Sequence, residues 1–321
     1  MAGGVNSART LASATLPEPT GYAHPGYADS LEEFGSPRPL SRCGGWLLER
    51  PIEGAPFRDA MGCYPLFACR DWSLLPEDLD ALGQDLVSVV LVADPFGAGE
   101  EFLRQCFDQV APFKEHFVVD LAGPAPGSRS THHRRYSRRA LQEHTVERVQ
   151  NPTEFAGEWA RLYQRLIERH GIRGIPAFSP QALARQLAIP GMVVWRARRG
   201  GETVGATLWL QQGEVAYYHL GAYADEGYRS RASFALFSTA IEAFAAEGTL
   251  WLDLGGGAGA GAPVEDDGLT RFKRGWATSS RTAYLCARVL APAVYRELTK
   301  SLPPTGYFPA YRQGEFASSD G

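Results

Sequence analysis

The sequence predicts an α/β protein in which helices flank a mixed, largely antiparallel sheet, built from two tandem blocks. Apolar strand-like runs alternate with helix-like segments from about residue 60 to residue 150, and the alternation starts again over residues 151–290. Within residues 192–223, three such runs are joined by Gly-Gly and Gln-Gly turns, a pattern typical of an antiparallel meander. The 321 residues are enough for two blocks of this size.

The first 40 residues are rich in Gly, Ala, Ser and Pro without hydrophobic periodicity, so we expect a flexible leader over residues 1–40. Residues 41–150 are predicted to form the N-terminal domain. Its predicted strands are "CYPLFAC", "DLVSVVLVAD", "HFVVDL" and "TVERVQ". Its predicted helices are "PEDLDALG", "AGEEFLRQCFDQV" and the basic "RSTHHRRYSRRALQEH".

Residues 151–290 are predicted to form the C-terminal domain. Its first helix is capped by Asn151, has Pro152 in the first turn and ends at Gly171. A second short helix, "SPQALARQLAIPG", precedes the meander. The helix "ASFALFSTAIEAFAAEG", the strand "LWLDLGG", the short helix "GLTRFKRGWA" and the strand "RTAYLCARVL" follow. Residues 291–321 form an aromatic extension that is expected to fold back on the body, either as plain packing or as a wall of an acceptor cleft.

Charge and composition exclude several classes of protein. The formal net charge of −4 gives no global attraction to DNA or to an anionic membrane. Five scattered cysteines without a Cys-x-x-Cys pair favour reduced thiols over a metal site or a disulfide framework. No apolar run approaches the roughly 20 residues of a membrane span, and the N-terminus lacks the apolar core of a signal peptide. We therefore expect a cytoplasmic protein with no permanently bound cofactor.

The glycine-rich stretch "TLWLDLGGGAGAGAP" raises the question of a dinucleotide site. Gly255, Gly257 and Ala260 fit a G-x-G-x-x-A pattern after a strand, but that site needs a helix at once and an acidic residue about 20 positions later. Here Pro263 and a charged loop intervene, and no Gly-Lys-Ser/Thr follows. The pattern therefore predicts a loop in which glycine permits unusual backbone angles, and not a nucleotide cradle.

Three motifs of the second block point to a family. They are "YYHLGAY", Asp253-Leu254-Gly255-Gly256, and the segment "GLTRFKRGW" over residues 268–276. Together they resemble the GNAT-type acyltransferases of the FemAB-like branch, over roughly residues 60–290. The resemblance implies two GNAT-like domains, the first reduced, and transfer of an acyl group from an activated ester or thioester to an amine. Members of the branch use aminoacyl-tRNA, and the wider superfamily uses acyl-CoA.

The resemblance also implies roles for residues near the reaction. Lys273 would neutralise the negative charge that develops on the carbonyl oxygen, Phe272 would pack against the donor, and Arg274 would help to bind it. Without the resemblance, Lys273 and Arg274 would be a solvated pair. His219, in the strand that GNAT folds splay apart, is either a general base or a histidine hydrogen-bonded within the sheet. Asp253 either holds the acceptor amine or caps the glycine loop.

Donor binding is expected at the start of the helix "ASFALFSTAIEAFAAEG". The superfamily's pyrophosphate loop, Gln/Arg-x-x-Gly-x-Gly/Ala, is replaced by "YRSRASFAL", with Phe234 at the last small position. This departure weighs against CoA. Arg229, Arg231 and Ser233 still suit an anion at a helix start, and Ser233 could instead be an ordinary cap.

The basic helix of the first block is the other candidate phosphate site. Its four candidate residues are Arg134, Arg135, Arg138 and Arg139. Arginines one turn apart repel unless an anion bridges them, so this face either binds a phosphate-bearing partner, which could be tRNA, a nucleotide-linked sugar or CoA, or is simply solvated. The resemblance thus implies an N-acyltransferase that acts on a small-molecule or peptide amine, with tRNA as a candidate partner. The alternative is a catalytically inactive GNAT-fold protein that binds a phosphate-bearing ligand or tRNA.

Overall fold

The structure is a computed structural model that describes residues 18–82, 85–123, 130–257, 267–304 and 306–315. The strands of this part of the chain are β1 (Ser36–Leu40), β2 (Gly45–Pro51), β3 (Arg58–Gly62), β4 (Ser88–Val92), β5 (Gln109–Asp120), β6 (Thr145–Arg148), β7 (Met192–Arg199), β8 (Glu202–Gln212), β9 (Val215–Tyr223), β10 (Trp251–Asp253) and β11 (Ser279–Val289). The α-helices are α1 (Pro25–Asp29), α2 (Leu75–Ala81), α3 (Glu100–Cys106), α4 (Thr131–Glu143), α5 (Ala156–His170), α6 (Pro180–Leu187), α7 (Asp225–Arg229), α8 (Ala232–Ala246), α9 (Gly268–Arg274) and α10 (Pro292–Thr299).

All of these strands belong to one sheet, in the order β1-β2-β3-β4-β11-β5-β10-β9-β8-β7-β6. Neighbouring strands are antiparallel except for the pairs β3–β4 and β9–β10, which are parallel. The predicted fold class, a mixed and largely antiparallel sheet flanked by helices, is confirmed. Among the helices of the described ranges, none has both the length and the apolar character needed to cross a membrane.

The two predicted blocks are interleaved in this sheet. The last strand, β11, lies between β4 and β5 of the first block. In the other direction, β6 pairs with β7 of the second block, and α4 packs on α8, where the rings of Tyr136 and Phe234 are 5.4 Å apart. The chain therefore crosses twice between the halves of one continuous sheet, and the predicted boundary at residue 150 does not coincide with a division of the sheet.

The prediction of a flexible leader is wrong for residues 18–40, which form α1, β1 and part of the core. Tyr22 and Tyr27 are buried, and the Tyr27 hydroxyl donates to the carbonyl oxygen of Tyr64 at 2.6 Å. Two large aromatic side chains bury enough area to fix a segment whose composition is otherwise that of a loop. Residues 1–17 lie outside the described residues.

Helices cover both faces of the second half of the sheet. Trp159 of α5 belongs to the core on one face, and Phe237 of α8 to the core on the other. The consecutive residues Leu208 and Trp209 of β8 enter different cores, as the alternation of side chains along a strand requires. Every site on this half of the sheet is thus reached from one of two distinct faces.

The C-terminal extension packs on β3 and β4. The ring of Phe308 stacks on Tyr295, with centroids 5.7 Å apart, and the Tyr311 hydroxyl lies 2.7 Å from the Ser88 hydroxyl. Arg312 donates to both carboxylate oxygens of Asp59. These contacts agree with plain packing against the body.

The parallel pair β9–β10 is short. Its ladder ends where Asp253 faces Tyr217, while β9 continues to Tyr223 without β10 beside it. The chain leaves β10 through Gly255, whose φ of +73° is a left-handed conformation that glycine adopts without a steric penalty. The end of β10 is therefore where the two halves of the sheet separate.

Candidate functional site

Lys273 points into the protein at the end of β10. Helix α9 begins at Gly268, where the Asp267 carboxylate accepts a hydrogen bond from the Thr270 amide at 2.8 Å. Lys273 is only 6% exposed, and its Nζ donates to the carbonyl oxygen of Gly256 at 2.6 Å. Arg274, by contrast, is exposed and lies over the ring of Phe117. The two residues are therefore not a solvated pair.

Burial changes the acid–base behaviour of Lys273. Removal from water lowers its pKa to about 8, although the negative charge of Asp253 opposes the shift. The ammonium group of Lys114 lowers the pKa further, and Lys114 Nζ itself donates to the carbonyl oxygen of Gly257 at 3.1 Å. The chain has three lysines, and two of them meet at this glycine turn. Because lysine is so rare in this arginine-rich chain, its presence at position 114 is a signal from which this residue could have been predicted.

Asp253 forms a buried pair with His116, a residue that sequence analysis did not select. The two carboxylate oxygens lie 2.8 and 3.0 Å from His116 Nδ1. His116 is on β5, 137 positions away in the chain, so no local motif could have linked the two residues. Asp253 and His116 lie on the same face of the sheet because Asp253 pairs with Val118, two residues from His116.

Gly255 joins this pair to Lys273. Its amide donates to Asp253 Oδ1 at 2.7 Å, and a β-carbon at Gly255 would lie 3.2 Å from Lys273 Nζ. Glycine is favoured here because the backbone is left-handed and the ammonium group is close. Asp253 thus caps the start of the glycine loop and also holds a histidine. Residues 258–266 of that loop, with Ala260 and Pro263, lie outside the described residues.

A second carboxyl group lies on the same face as the Asp253–His116 pair. Asp94, which follows β4, accepts a hydrogen bond from the Tyr217 hydroxyl at 2.7 Å and one from the Phe96 amide at 2.9 Å. Burial raises the pKa of Asp94 to about 6, and the charge of Asp253 raises it as well. This face of the site therefore carries negative charge.

His219 is held as a structural residue, which corrects its interpretation as a general base. It is buried, and burial lowers its pKa to about 3. Nδ1 lies 3.1 Å from the Tyr22 hydroxyl and Nε2 lies 3.1 Å from Gln186 Oε1, so both ring nitrogens are engaged. A base needs a free nitrogen and a pKa near the working pH. The alternative, a histidine hydrogen-bonded within the core, describes the observed contacts.

Phe272 belongs to an aromatic cluster between α8, α9 and α4. Its ring centroid is 4.8 Å from Phe237 and 5.1 Å from Phe234, so Phe234 fills the space that a small residue would leave at the start of α8. His133 Nε2 lies 2.9 Å from the carbonyl oxygen of Phe272. At Gly275, a β-carbon would collide with the His133 ring at 1.9 Å. These contacts hold α9, and with it Lys273, in a fixed position.

The two predicted phosphate sites meet in one cavity of about 310 Å³ beside the start of α8. Its lining residues are Tyr136, Arg139, Ala140, Glu143, Arg199, Glu226, Arg229, Ser230 and Arg231. Arg139 pairs with Glu143, and Arg229 with Glu226. Arg199, which sequence analysis missed, pairs with both glutamates. The arginines outnumber the carboxylates that neutralise them.

The remaining arginines of α4 are exposed and do not line this cavity; they are Arg134, Arg135 and Arg138. At its edge, Arg231 has a φ of +59° and precedes α8 without a side-chain cap hydrogen bond. Its guanidinium carbon lies 3.9 Å from the Tyr136 ring centroid. Ser233 lies within the first turn of α8 and is not the cap residue, so the alternative of ordinary capping by Ser233 does not hold.

A family model described as an acetyltransferase (GNAT) domain matches residues 127–274. Residues 127–274 are a GNAT domain. The match includes α4 and β6, in agreement with their packing on the second half of the sheet, and it ends just after Lys273 of α9. The predicted GNAT resemblance is therefore confirmed. Comparison with curated protein sequences gives no significant match.

The whole fold around the GNAT domain is shared with solved structures. FemX is 15% identical, with a TM-score of 0.62 over 88% of this chain and 95% of that chain. A C-terminal domain described as that of a lysylphosphatidylglycerol synthetase from Agrobacterium fabrum is 16% identical, with a TM-score of 0.60 over 84% and 88%. L-PGS from Bacillus licheniformis is 17% identical, with a TM-score of 0.57 over 84% and 93%. These similarities show a common fold, consistent with the FemAB-like branch.

Proposed function

We propose that the protein transfers an acyl or aminoacyl group from an activated donor to an amine acceptor. The GNAT domain and the fold shared with FemX support acyl transfer in general. The observation that carries the proposal is the buried ammonium group of Lys273 at the end of β10, fixed by Gly256 and adjacent to the Asp253–His116 pair. A cation fixed inside a protein can stabilise negative charge that appears only in the transition state of a reaction.

In this proposal, Lys273 stabilises the oxyanion that forms when an amine attacks the acyl carbonyl carbon. The ammonium group acts in a site with little water, where a charge interaction is stronger than in bulk solvent. Loss of one such donor typically lowers kcat by about 10²–10³-fold. Phe272 contributes indirectly, because its packing on Phe237 fixes the helix that carries Lys273.

The donor binds, we propose, with its phosphate groups in the arginine-lined cavity at the start of α8. Arg139, Arg199 and Arg229 bring guanidinium groups that match phosphate oxygens, and the first turn of α8 lacks a side-chain cap. An incoming phosphate would compete with Glu143 and Glu226 for these arginines. Acyl-CoA and aminoacyl-tRNA both carry phosphates, so the cavity suits either class of donor.

The test compares Lys273→Ala with wild type and with Lys300→Ala, which removes an exposed lysine far along the chain. Acetyl-CoA and a set of aminoacyl-tRNAs are offered as donors, and small amines and lysine-containing peptides as acceptors. We expect wild type and Lys300→Ala to form amide product with one donor class, and Lys273→Ala to be slower by about 10²–10³-fold. Donor binding, followed by thermal shift, should be kept in Lys273→Ala.

Two results would contradict the proposal. One is transfer by Lys273→Ala within a factor of three of wild type. The other is donor binding by wild type without any amide product across the whole set, which would favour the inactive binding protein. A donor at 100 times its Kd stabilises the protein by about 2.7 kcal/mol, so thermal shift detects binding independently of turnover.

A further inference from the structure

We infer that His116, oriented by Asp253, is the group that accepts the proton from the acceptor amine; this inference rests on the proposed acyl transfer. Nδ1 of His116 is committed to the Asp253 carboxylate at 2.8 Å, which fixes the tautomer with the proton on Nδ1. The lone pair of the neutral ring is then on Nε2. Within the described residues no hydrogen bond reaches Nε2, and the side chain retains 9% of its exposure.

Three other histidines of this half of the molecule are buried, and each of them has both ring nitrogens engaged. His219 has both ring nitrogens engaged. His133 is held by Ser130 and the Phe272 carbonyl, and His144 by the Ala140 carbonyl and the Ser230 hydroxyl. Each of these rings bridges two groups and fixes structure. His116 has one nitrogen held by a carboxylate and the other without a partner in the described part of the chain, which is the arrangement of an oriented base.

Lys273 and His116 approach the end of β10 from different elements. Lys273 comes from α9, which packs with α8, and its Nζ lies 5.6 Å from the Tyr218 ring. The Asp253–His116 pair shares a face with Tyr217, the register partner of Asp253. Since Tyr217 and Tyr218 point to opposite faces, an acyl carbon at the end of β10 lies between a cation and an imidazole. Gly255 lies between Lys273 Nζ and the Asp253 carboxylate that holds His116.

In this reaction, one proton passes from the amine to the leaving group through His116. The amine nitrogen attacks the acyl carbon and a carbon–nitrogen bond forms, while negative charge appears on the carbonyl oxygen beside Lys273. His116 Nε2 takes the proton that the nitrogen loses. The bond from the acyl carbon to the ester oxygen or thioester sulfur then breaks, and the proton moves from Nε2 to that leaving group. The carboxylate of Asp253 stabilises the imidazolium in between, and Asp94 adds negative charge that attracts an ammonium-bearing acceptor, which loses one proton to solvent before the attack.

The experiment measures amide formation by His116→Ala, with His170→Ala as the matched control because His170 is exposed at the end of α5. We expect His116→Ala to lower kcat by about 10²–10⁴-fold with donor binding kept, and added imidazole to restore part of the rate. His170→Ala should match wild type and should not respond to imidazole. Circular dichroism and thermal unfolding verify that each variant is folded.

Asp253 is a positioning residue in this scheme, and a double-mutant cycle between Asp253 and His116 tests its contribution. If Asp253 acts through His116, Asp253→Ala should add little to the loss in His116→Ala, and imidazole should rescue the double variant much less than the single one. Independent, multiplicative losses would overturn the positioning role.

Full activity of a folded His116→Ala, or a loss of activity that imidazole does not restore, would overturn the assignment of His116 as the base, while transfer by wild type would still support the proposed function. No transfer by wild type would instead refute the proposed function itself.

Discussion

A buried lysine that is charged lowers the stability of the folded protein, and Lys273 is such a residue. Burial holds its pKa near 8, against 10.5 for a lysine in water. The unfolded chain therefore binds a proton more tightly than the folded protein does. Below pH 8 both states are protonated and the full cost is present; the cost disappears as the pH rises toward 10.5.

We predict that Lys273→Met removes this pH dependence. In wild type, the free energy of unfolding gains about 3 kcal/mol from this group between pH 8 and pH 10.5, since one pKa unit corresponds to about 1.4 kcal/mol. The advantage of Lys273→Met over wild type should therefore shrink across this range. Urea unfolding at pH 7, 8.5 and 10 measures the difference, with Lys300→Met as the control. Parallel curves for wild type and Lys273→Met would show that burial does not perturb this ammonium group.

Lys273 and Asp253 could be predicted from the sequence because both lie in motifs whose spacing is local. His116 was not predictable, because a single histidine in an apolar strand gives no signal until β5 and β10 are known to pair. The sequence could not show which of the predicted phosphate-binding arginines line the cavity. Arg139 and Arg229 meet in one cavity, yet they are 90 positions apart in the chain, and nothing in the sequence distinguishes Arg139 from Arg138.

The element that organises the site is the turn after β10, and Gly255 is its critical residue. Ala at this position must adopt φ +73° and place a β-carbon 3.2 Å from Lys273 Nζ. Gly248, in the turn after α8, has a φ of +84° and nothing within 4 Å of a β-carbon. The two glycines thus share the backbone requirement but differ in what surrounds them.

We predict that Gly255→Ala and Gly248→Ala lose similar stability, about 1 kcal/mol each from the left-handed backbone, but differ in activity. Gly255→Ala should displace Lys273 and reduce acyl transfer at least tenfold, while Gly248→Ala should keep the wild-type rate. Thermal unfolding and initial rates on the same preparations decide this. Equal rates for the two variants would mean that the contact at Gly255 does not position Lys273.

Element prediction succeeded where hydrophobic periodicity is strong and failed where it is not. The helix α5, the meander of β7, β8 and β9, and the helix α8 follow their apolar patterns closely. The first three strands were missed; β1, "SPRPL", contains two prolines and only one buried residue, and it is stabilised by pairing with β2. In such an edge strand, tertiary pairing decides the structure and local propensity does not.

For the whole molecule, the decisive feature is that β11 lies between β4 and β5. Val90 of β4 pairs with Ala287, and the same residue of β11 pairs with Gln109 of β5. Without β11, two apolar strands would each present an unpaired edge in the middle of the sheet. The family match ends at residue 274, before this strand, although the fold needs it.

We predict that a chain shortened to end at Thr278 fails to fold, whereas a chain that ends at Leu290 does fold. The first lacks β11, and both lack α10 and the C-terminal extension, so the pair isolates the strand. Circular dichroism and urea unfolding should show a cooperative transition only for the longer chain. A cooperative transition in the chain that ends at Thr278 would mean that β4 and β5 close on each other without their central partner.

The position of β11 also has a consequence for biosynthesis. About 160 residues separate the end of β5 from the start of β11, so at 5–20 residues per second the ribosome needs roughly 10–30 s to deliver the missing strand. During that interval the edges of β4 and β5 that pair with β11 in the folded protein remain without their partner strand. Chaperones that bind nascent chains should therefore raise the yield of folded protein more for this chain than for a protein whose strands pair in the order of synthesis.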